Sequence, residues 1–170
     1  MMWTEDTSRR RPTIVDASVL LNFLGLGRLD LLTALARRIV ITPEVNLEIK
    51  RYRLGLDVAL TYEEVRVVSP TLDEEDSRHF ARLTRRLSVA DASCIVAAKV
   101  LGADIASDDR AVCRAAAELL PLEAVVGTET MLSEAVRAGL LTLVAGDELL
   151  GELIHIRYRP KVASLRELLG

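Results

Sequence analysis

The sequence predicts an α/β protein with a central parallel sheet and helices on both of its faces. Short apolar segments alternate along the chain with helical ones, an order typical of parallel strands joined by right-handed helical crossovers. Half of the 170 residues are apolar, which is enough to bury a continuous core. The segment 88–101 is apolar on nearly every side between Asp91 and Lys99, as expected of a helix buried between layers.

Five short apolar segments are predicted as the strands of this sheet. They are 14–16, 39–42, 65–68, 105–107 and 124–126. Helices are predicted at 18–24, 29–36, 43–52, 72–87, 88–101, 110–119, 129–138, 146–154 and 161–169. Local signals support several of them: Pro43 occupies a favourable first helical position, and Gly102 ends the buried helix. The helix at 72–87 has acids in its first turn and arginines in its last, as the helix dipole favours.

The domain organisation is predicted to be simple. Residues 1–12 are polar, with three arginines before Pro12, and are expected to form a mobile tail; an RNA-gripping arm is the alternative. Residues 13–170 contain no internal repeat, low-complexity tract or long linker. One domain, including the C-terminal helices, is therefore expected.

Composition excludes several classes of protein. A formal charge of −3 excludes a strongly basic nucleic-acid binder, and an aromatic content of 4% makes an aromatic base-stacking platform improbable. No apolar run approaches the ~18 residues of a membrane span, and the N-terminus lacks the apolar centre of a signal peptide. A cytoplasmic protein is expected, in which Cys94 and Cys113 are reduced and largely buried thiols.

Five carboxylates occupy positions where an α/β sheet would bring them together. Asp16 follows the first strand, Glu48 comes six residues after the second, Asp91 opens the buried helix, and Asp108 and Asp109 follow the fourth strand. In a doubly wound sheet, ligands bind in the crevice outside the carboxyl ends of the strands. Clustered carboxylates repel one another unless a hard cation neutralises them. The pattern therefore predicts a site for Mg²⁺ or Mn²⁺.

Each of these acids also has a purely structural interpretation. Asp16 can cap the helix near Ser18, and Asp91 with Ser88 matches a capping box. Asp108 and Asp109 can cap the helix that follows them, and Glu48 can be solvated on an exposed helix. The metal-site hypothesis rests on the joint placement of the acids.

Other acidic or nucleotide-binding α/β proteins fit the sequence less well. A phosphatase with an aspartyl-phosphate intermediate needs a second acid two residues after Asp16, where this chain has Ser18. A response-regulator receiver needs a lysine after its fifth strand, where this chain reads VVGTET. The chain has no P-loop, GxGxxG turn or GxSxG elbow, and His79 and His155 lack metal-ligand spacing.

Four segments together resemble the PIN-domain ribonucleases, and among them the VapC-like toxins of toxin–antitoxin modules. The segments are IVDASVLLNF, ITPEVNLEI, LSVADASCIVAAKVLGADIASDDR and VVGTETMLSEAVRAGLL. They span about residues 13–141, and their order and spacing are more specific than any one of them. The C-terminal segment ELIHIRYRPKVASLRELL is less typical of a minimal toxin.

The resemblance implies a Rossmann-like α/β/α sandwich that carries a Mg²⁺- or Mn²⁺-dependent endoribonuclease. Asp16, Glu48 and Asp91 align with the first three family acids. The fourth is Asp109 if a threonine-x-aspartate pattern maps onto Ser107 and Asp109, and a subfamily with paired acids would also use Asp108. The implied chemistry is metal-assisted phosphodiester hydrolysis without a histidine.

The implied partners are RNA, an antitoxin whose tail covers the acidic cleft, and a second copy of the chain in a homodimer. Two basic groups could contact the RNA backbone, although a solvated helix face is the favoured interpretation of both; they are Lys50, Arg51 and Arg53, and Arg82, Arg85 and Arg86. The alternatives to a toxin are a nuclease that acts on DNA or in RNA processing without an antitoxin, and a catalytically silent binding module.

Overall fold

A computed structural model describes residues 11–35 and 38–170, and it confirms the predicted five-stranded parallel sheet. The strands are β1 (Pro12–Val15), β2 (Arg38–Ile41), β3 (Val65–Val67), β4 (Asp104–Ala106) and β5 (Val125–Val126). Their order is β3-β2-β1-β4-β5, and every pair is parallel. At the centre, Ile14 lies opposite Val40 on one side and Ile105 on the other. From β1 the chain first adds β2 and β3 on one side of the sheet and then β4 and β5 on the other, so the strand order reverses between β1 and β4.

Helices cover both faces of the sheet, as expected for an α/β/α sandwich. They are α1 (Ala17–Leu26), α2 (Asp30–Ala34), α3 (Pro43–Glu48), α4 (Arg53–Thr61), α5 (Glu74–Leu83), α6 (Val89–Leu101), α7 (Arg110–Ala116), α8 (Thr128–Arg137), α9 (Leu143–His155) and α10 (Arg166–Leu169), with a short 3₁₀ helix at Leu122–Ala124. Among the described residues no helix is both long and apolar enough to cross a membrane.

The buried helix predicted from its apolar composition is α6. Ser88 caps its first turn by accepting from the Asp91 amide at 3.1 Å, and Gly102 ends it at a φ of 58°. Cys94, Ile95 and the alanines beside them are fully buried, and the helix packs against β1, β4 and α3. The Ser93 hydroxyl, near the start of α6, contacts the Thr42 hydroxyl at 2.7 Å, so the first turns of α6 lie at the carboxyl end of β2.

The structure differs from the predicted helices between residues 43 and 61. The predicted helix at 43–52 ends at Glu48, because Ile49 turns to extended backbone (ψ 107°) while its side chain is buried in the core. Tyr52 then takes a left-handed conformation with φ 59°, and a new helix, α4, begins at Arg53. The anchoring of Ile49 is a tertiary contact, which local periodicity does not reveal.

The C-terminal helix predicted at 161–169 was also too long, since helical structure is confined to α10. Asp147 on α9 accepts hydrogen bonds from the Ser164 hydroxyl at 2.8 Å and the Leu165 amide at 2.8 Å. These contacts hold the preceding residues in an irregular path across the sheet edge.

The predicted N-terminal tail lies almost wholly outside the described residues, which begin at Arg11. Arg11 donates to the Gly102 carbonyl at 3.2 Å, and Pro12 already belongs to β1, where it pairs with Arg38. The ordered sheet therefore begins at Pro12, within the stretch predicted as tail.

Candidate metal centre

The candidate site lies at the carboxyl ends of β1 and β4, where the strand order reverses. Asp16 directly follows β1, and Ser107 and Asp108 directly follow β4. The Asp16 amide donates to the Ala106 carbonyl at 3.0 Å, which joins the two strand ends. This is the crevice in which open α/β sheets bind their ligands. The sequence predicted that these acids would meet here.

Asp16 is a buried carboxylate with 2% of its surface exposed. It caps α1 by accepting from the Val19 amide at 3.0 Å, and the Ser18 hydroxyl donates to the same oxygen at 2.6 Å. Burial raises the pKa of the Asp16 carboxyl to about 6, although hydrogen bonds from Ser107, Ser18 and Val19 oppose the rise. The nearby charge of Asp108 acts in the same direction as burial.

No lysine or arginine within residues 11–35 and 38–170 forms an ion pair with Asp16. A buried carboxylate is costly when no cation or adequate set of hydrogen bonds compensates it. The raised pKa shows that the hydrogen bonds around Asp16 compensate its burial only in part. The position therefore favours either a bound cation or a proton.

Asp108 lies beside Asp16 and is held in place from two helices. One of its oxygens accepts from the Thr128 amide at 2.9 Å, and the other accepts from the Thr128 hydroxyl at 2.6 Å and the Asn22 side chain at 3.0 Å. Gly127 permits this arrangement, since a Cβ there would lie only 3.0 Å from the Asp108 carboxylate. Asp108 thus ties α1 and α8 to the end of β4.

Asp91 approaches the same region from the first turn of α6. Its carboxylate accepts from the Ser88 hydroxyl at 2.7 Å. The Ser88 hydroxyl caps the helix as predicted, but among the described residues the Ser88 amide does not donate to Asp91, so the reciprocal bond of a capping box is missing. One turn later, the buried Cys94 lies near both Asp91 and Asp16: burial raises the pKa of its thiol, and the two carboxylates add to the rise. Asp91 itself is half-buried.

The other two predicted acids lie at helix ends in solvent. Asp109 caps α7 by accepting from the Ala111 amide at 2.6 Å and the Val112 amide at 3.3 Å. Glu48 is the exposed last residue of α3, and its carboxylate makes no hydrogen bond or ion pair to another described residue. The structure thus places Asp108 beside Asp16, leaves Asp91 at the start of α6, and gives Asp109 and Glu48 exposed positions at helix ends.

Sequence reasoning missed three polar residues that complete the crevice: Asn22, Thr128 and Tyr158. Asn22 and Thr128 are buried and also contact each other at 3.2 Å. Both lie in segments that carry the family resemblance, IVDASVLLNF and VVGTETMLSEAVRAGLL, but a neutral amide or hydroxyl is not distinguished there from an ordinary helix residue. Tyr158 comes from the irregular C-terminal segment, where no local pattern pointed to a role in the site.

Tyr158 links that C-terminal segment to the acids. Burial raises the pKa of its phenol above the usual range, and the nearby Asp108 and Glu129 carboxylates add to the rise. The buried Glu129 also accepts from the Lys161 amide, so it fixes the same segment through the backbone. The C-terminal segment is therefore one wall of the crevice.

The donor chemistry fits a hard divalent cation at Asp16. The polar atoms that converge there are carboxylate and hydroxyl oxygens, which Mg²⁺ prefers, and Mg²⁺ commonly uses only one or two carboxylates and keeps several waters. Within the described part of the chain, no three His, Cys, Asp or Glu side chains are grouped closely enough to form a cage around a metal. Cys94 and Cys113 are free thiols, as predicted. The arrangement fits a cation held mainly by Asp16.

Comparison with known proteins gave one result that bears on identity. No curated protein and no solved structure gave a significant match. The family model DUF3368, a PIN domain, matches residues 12–170, which is nearly the whole chain. PIN domains are typically nucleases, and they generally use divalent metals. With the observed parallel sheet and its acidic crevice, this match places the chain in the PIN-domain family.

Proposed function

We propose that the protein is a Mg²⁺- or Mn²⁺-dependent endoribonuclease whose metal is held at Asp16. One observation carries the proposal: a buried carboxylate stands at the point where strand order reverses, and no described cationic side chain pairs with it. Above pH 6 this carboxylate is ionised, so a divalent cation gives it the positive partner that the described residues do not provide.

The residues around Asp16 have separate roles in this proposal. Ser18 and Ser107 fix the orientation of the Asp16 carboxylate by hydrogen bonds. Asp108, held by Thr128 and Asn22, adds negative charge beside Asp16. Asp91, at the start of α6, remains a predicted ligand. A bound divalent cation supplies Lewis-acid polarisation of the scissile phosphate and favours ionisation of a nucleophilic water. Glu48 and Asp109 remain predicted members of the site at its rim.

Cleavage of a fluorescent single-stranded RNA tests the proposal directly. The protein is expected to cut the RNA with Mn²⁺ or Mg²⁺ and to stop when EDTA is added. Activity that persists unchanged in excess EDTA would contradict the metal-dependent mechanism.

A catalytically silent binding module is the second candidate, and a specific observation favours it. Within the described residues the acids do not form a three-membered metal cage, and both Asp108 oxygens are already engaged by hydrogen bonds. Metal-dependent RNA cleavage excludes this candidate. RNA binding without cleavage in any divalent metal would support it.

The resemblance to VapC-like toxins supports a further part of the proposal, namely that an antitoxin partner covers the crevice. A nuclease of RNA processing, or one that acts on DNA, would have the same centre without that partner. A small antitoxin-like reading frame beside the gene is expected for a toxin. Co-expression of its product should suppress RNA cleavage by this protein.

A homodimer is also proposed, through an exposed apolar face formed by α4 and the residue that follows it. Leu54, Val58 and Tyr62 follow one another at spacings of four residues and expose 77%, 48% and 75% of their surfaces. Light scattering at micromolar concentration should give a dimer mass, and Leu54→Asp should give a monomer. Leu122→Asp is the matched control because Leu122, remote in sequence, is equally exposed at 77%. A parent protein that is monomeric at all concentrations contradicts the proposal.

A further inference from the structure

A cavity of about 280 Å³ opens beside Asp108, separate from the Asp16 carboxylate. Its inner wall includes Ser18 and Asn22, the residues that donate to Asp16 and Asp108. Its outer wall comes from two distant parts of the chain, the turn at 49–52 and the C-terminal segment after α9. The volume lies near the lower limit of small-ligand pockets, about 300–1,000 Å³, which suits a ligand of the size of one nucleotide.

The outer wall is built from backbone in an unfavourable conformation. Tyr52 and Arg157 have φ values of 59° and 71°, and they are two of the three described non-glycine residues with positive φ; the third is Glu63. Both line the cavity. Bulky residues in the left-handed region are strained, and such strain concentrates at binding and catalytic sites. Two independent segments therefore adopt an unfavourable conformation to present side chains to one space.

Close packing against α1 fixes this wall. A Cβ at Gly25 would lie 2.9 Å from the Ile156 side chain and 3.2 Å from the ring and hydroxyl of Tyr52. The helix therefore needs glycine at this position so that both outer segments can approach it. The resulting wall is preorganised, which reduces the entropy that is lost when a ligand binds.

The side chains of the wall suit a base and a phosphate. Arg51 stacks over the Tyr52 ring with its guanidinium carbon 4.9 Å from the ring centre. The Arg157 side chain is exposed and makes no hydrogen bond or ion pair within the described part of the chain. Guanidinium groups recognise phosphate through paired donors, and aromatic rings and guanidinium planes stack on unpaired bases. Two of the chain's three tyrosines, Tyr52 and Tyr158, line this cavity.

We infer that this cavity binds one nucleotide of single-stranded RNA next to the phosphate that is cleaved, with the base against Tyr52 and Arg51 and a phosphate on Arg157. The inference rests on the proposed ribonuclease function, because it takes RNA as the ligand. A base can enter such a cavity only when it is unstacked, so single-stranded or loop RNA is the substrate class. The low aromatic content of the chain does not oppose this, since one well-placed ring is sufficient.

Binding measured without cleavage separates this inference from the proposed function. The probe is a 5′-fluorescein-labelled single-stranded RNA octamer of mixed sequence, and its anisotropy is followed in EDTA. Arg157→Gln should raise the dissociation constant about tenfold, because a charge-assisted contact to phosphate is lost. Arg159→Gln is the matched control: Arg159 is an exposed arginine two residues further on that does not line the cavity, and its loss should change the constant less than about twofold.

A second pair of probes tests the base contact. Tyr52→Ala should weaken binding of the octamer about tenfold, and Tyr52→Phe, which keeps the ring, should bind like the parent. An octamer with abasic residues has no base to stack on the ring, so it should bind the Tyr52→Ala and Tyr52→Phe variants equally. Thermal melts confirm that each variant is folded. Any of three results overturns the inference: the Arg157 and Arg159 substitutions weaken binding equally, Tyr52→Ala weakens binding of the abasic octamer as much as that of the normal one, or the parent protein does not bind RNA. An acidic or aromatic peptide would then be the alternative occupant. Retained RNA binding together with absent metal-dependent cleavage would instead refute only the proposed function.

Discussion

Asp108 and Asp109 are adjacent in the chain, yet their carboxylates belong to different parts of the molecule. Asp108 turns into the crevice, where Thr128 and Asn22 donate to it, whereas Asp109 turns to solvent and caps α7. Both acids follow the same strand, so position after a strand does not decide the role of either one. The role depends on which donors from distant segments converge on the carboxylate. The same contrast separates the buried Asp16 from the exposed Glu48.

The largest expected effect concerns cleavage. Asp16→Asn should reduce metal-dependent RNA cleavage by more than about 100-fold, because the substitution removes the charge that holds the cation. Asp109→Asn should retain most of the activity, since asparagine caps a helix about as well as aspartate. Initial rates on one RNA at saturating Mn²⁺ measure both. If Asp109→Asn were as inactive as Asp16→Asn, Asp109 would be the fourth catalytic acid that the resemblance predicts.

The second expected effect is a pH dependence of stability in the metal-free protein. The pKa of Asp16 is about 6 in the folded state and 3.8 for an unperturbed carboxyl. Between these two pH values the folded state therefore holds a proton that the unfolded chain releases. Protonation of Asp16 adds about 3 kcal/mol to the free energy of unfolding below about pH 4, and this contribution is lost as the pH rises through 6. Urea unfolding in EDTA at several pH values measures it. The Asp16→Asn protein should lack this slope, and an identical slope in both proteins would assign it to other groups.

A smaller effect should distinguish Asp108 from Asp109 in stability. Asp108→Asn replaces one acceptor oxygen with a donor amide that faces the donors of Asn22 or Thr128, and it should cost about 2 kcal/mol. Asp109→Asn should cost less than about 0.5 kcal/mol because the cap is kept. Urea unfolding at neutral pH in EDTA gives both values. Equal losses would mean that the hydrogen bonds around Asp108 contribute no more than a helix cap.

The sequence was sufficient for the sheet and for the location of the crevice, because strand and helix periodicities are local and parallel strand ends meet by geometry. It also identified Asp16 and Asp108, which the fold brings beside each other, whereas the convergence of Asp91, Glu48 and Asp109 with them stays a prediction. It did not identify Asn22 and Thr128 as partners of Asp108, since these contacts join residues 86 and 20 positions apart. The end of α3 and the path of Tyr158 were missed for the same reason. Both depend on packing against segments that are distant in sequence.

The central claim is that Asp16 holds a divalent cation, and the thermal response to Mn²⁺ tests it most directly. At about pH 7.5, Mn²⁺ at 100 times its dissociation constant should stabilise the parent by about 2.7 kcal/mol, a rise in Tm of roughly 5–10 °C. Asp16→Asn preserves the cap of α1, so the fold should persist while the shift falls to near zero. Equal Mn²⁺ shifts in the two folded proteins would contradict a metal centre at Asp16.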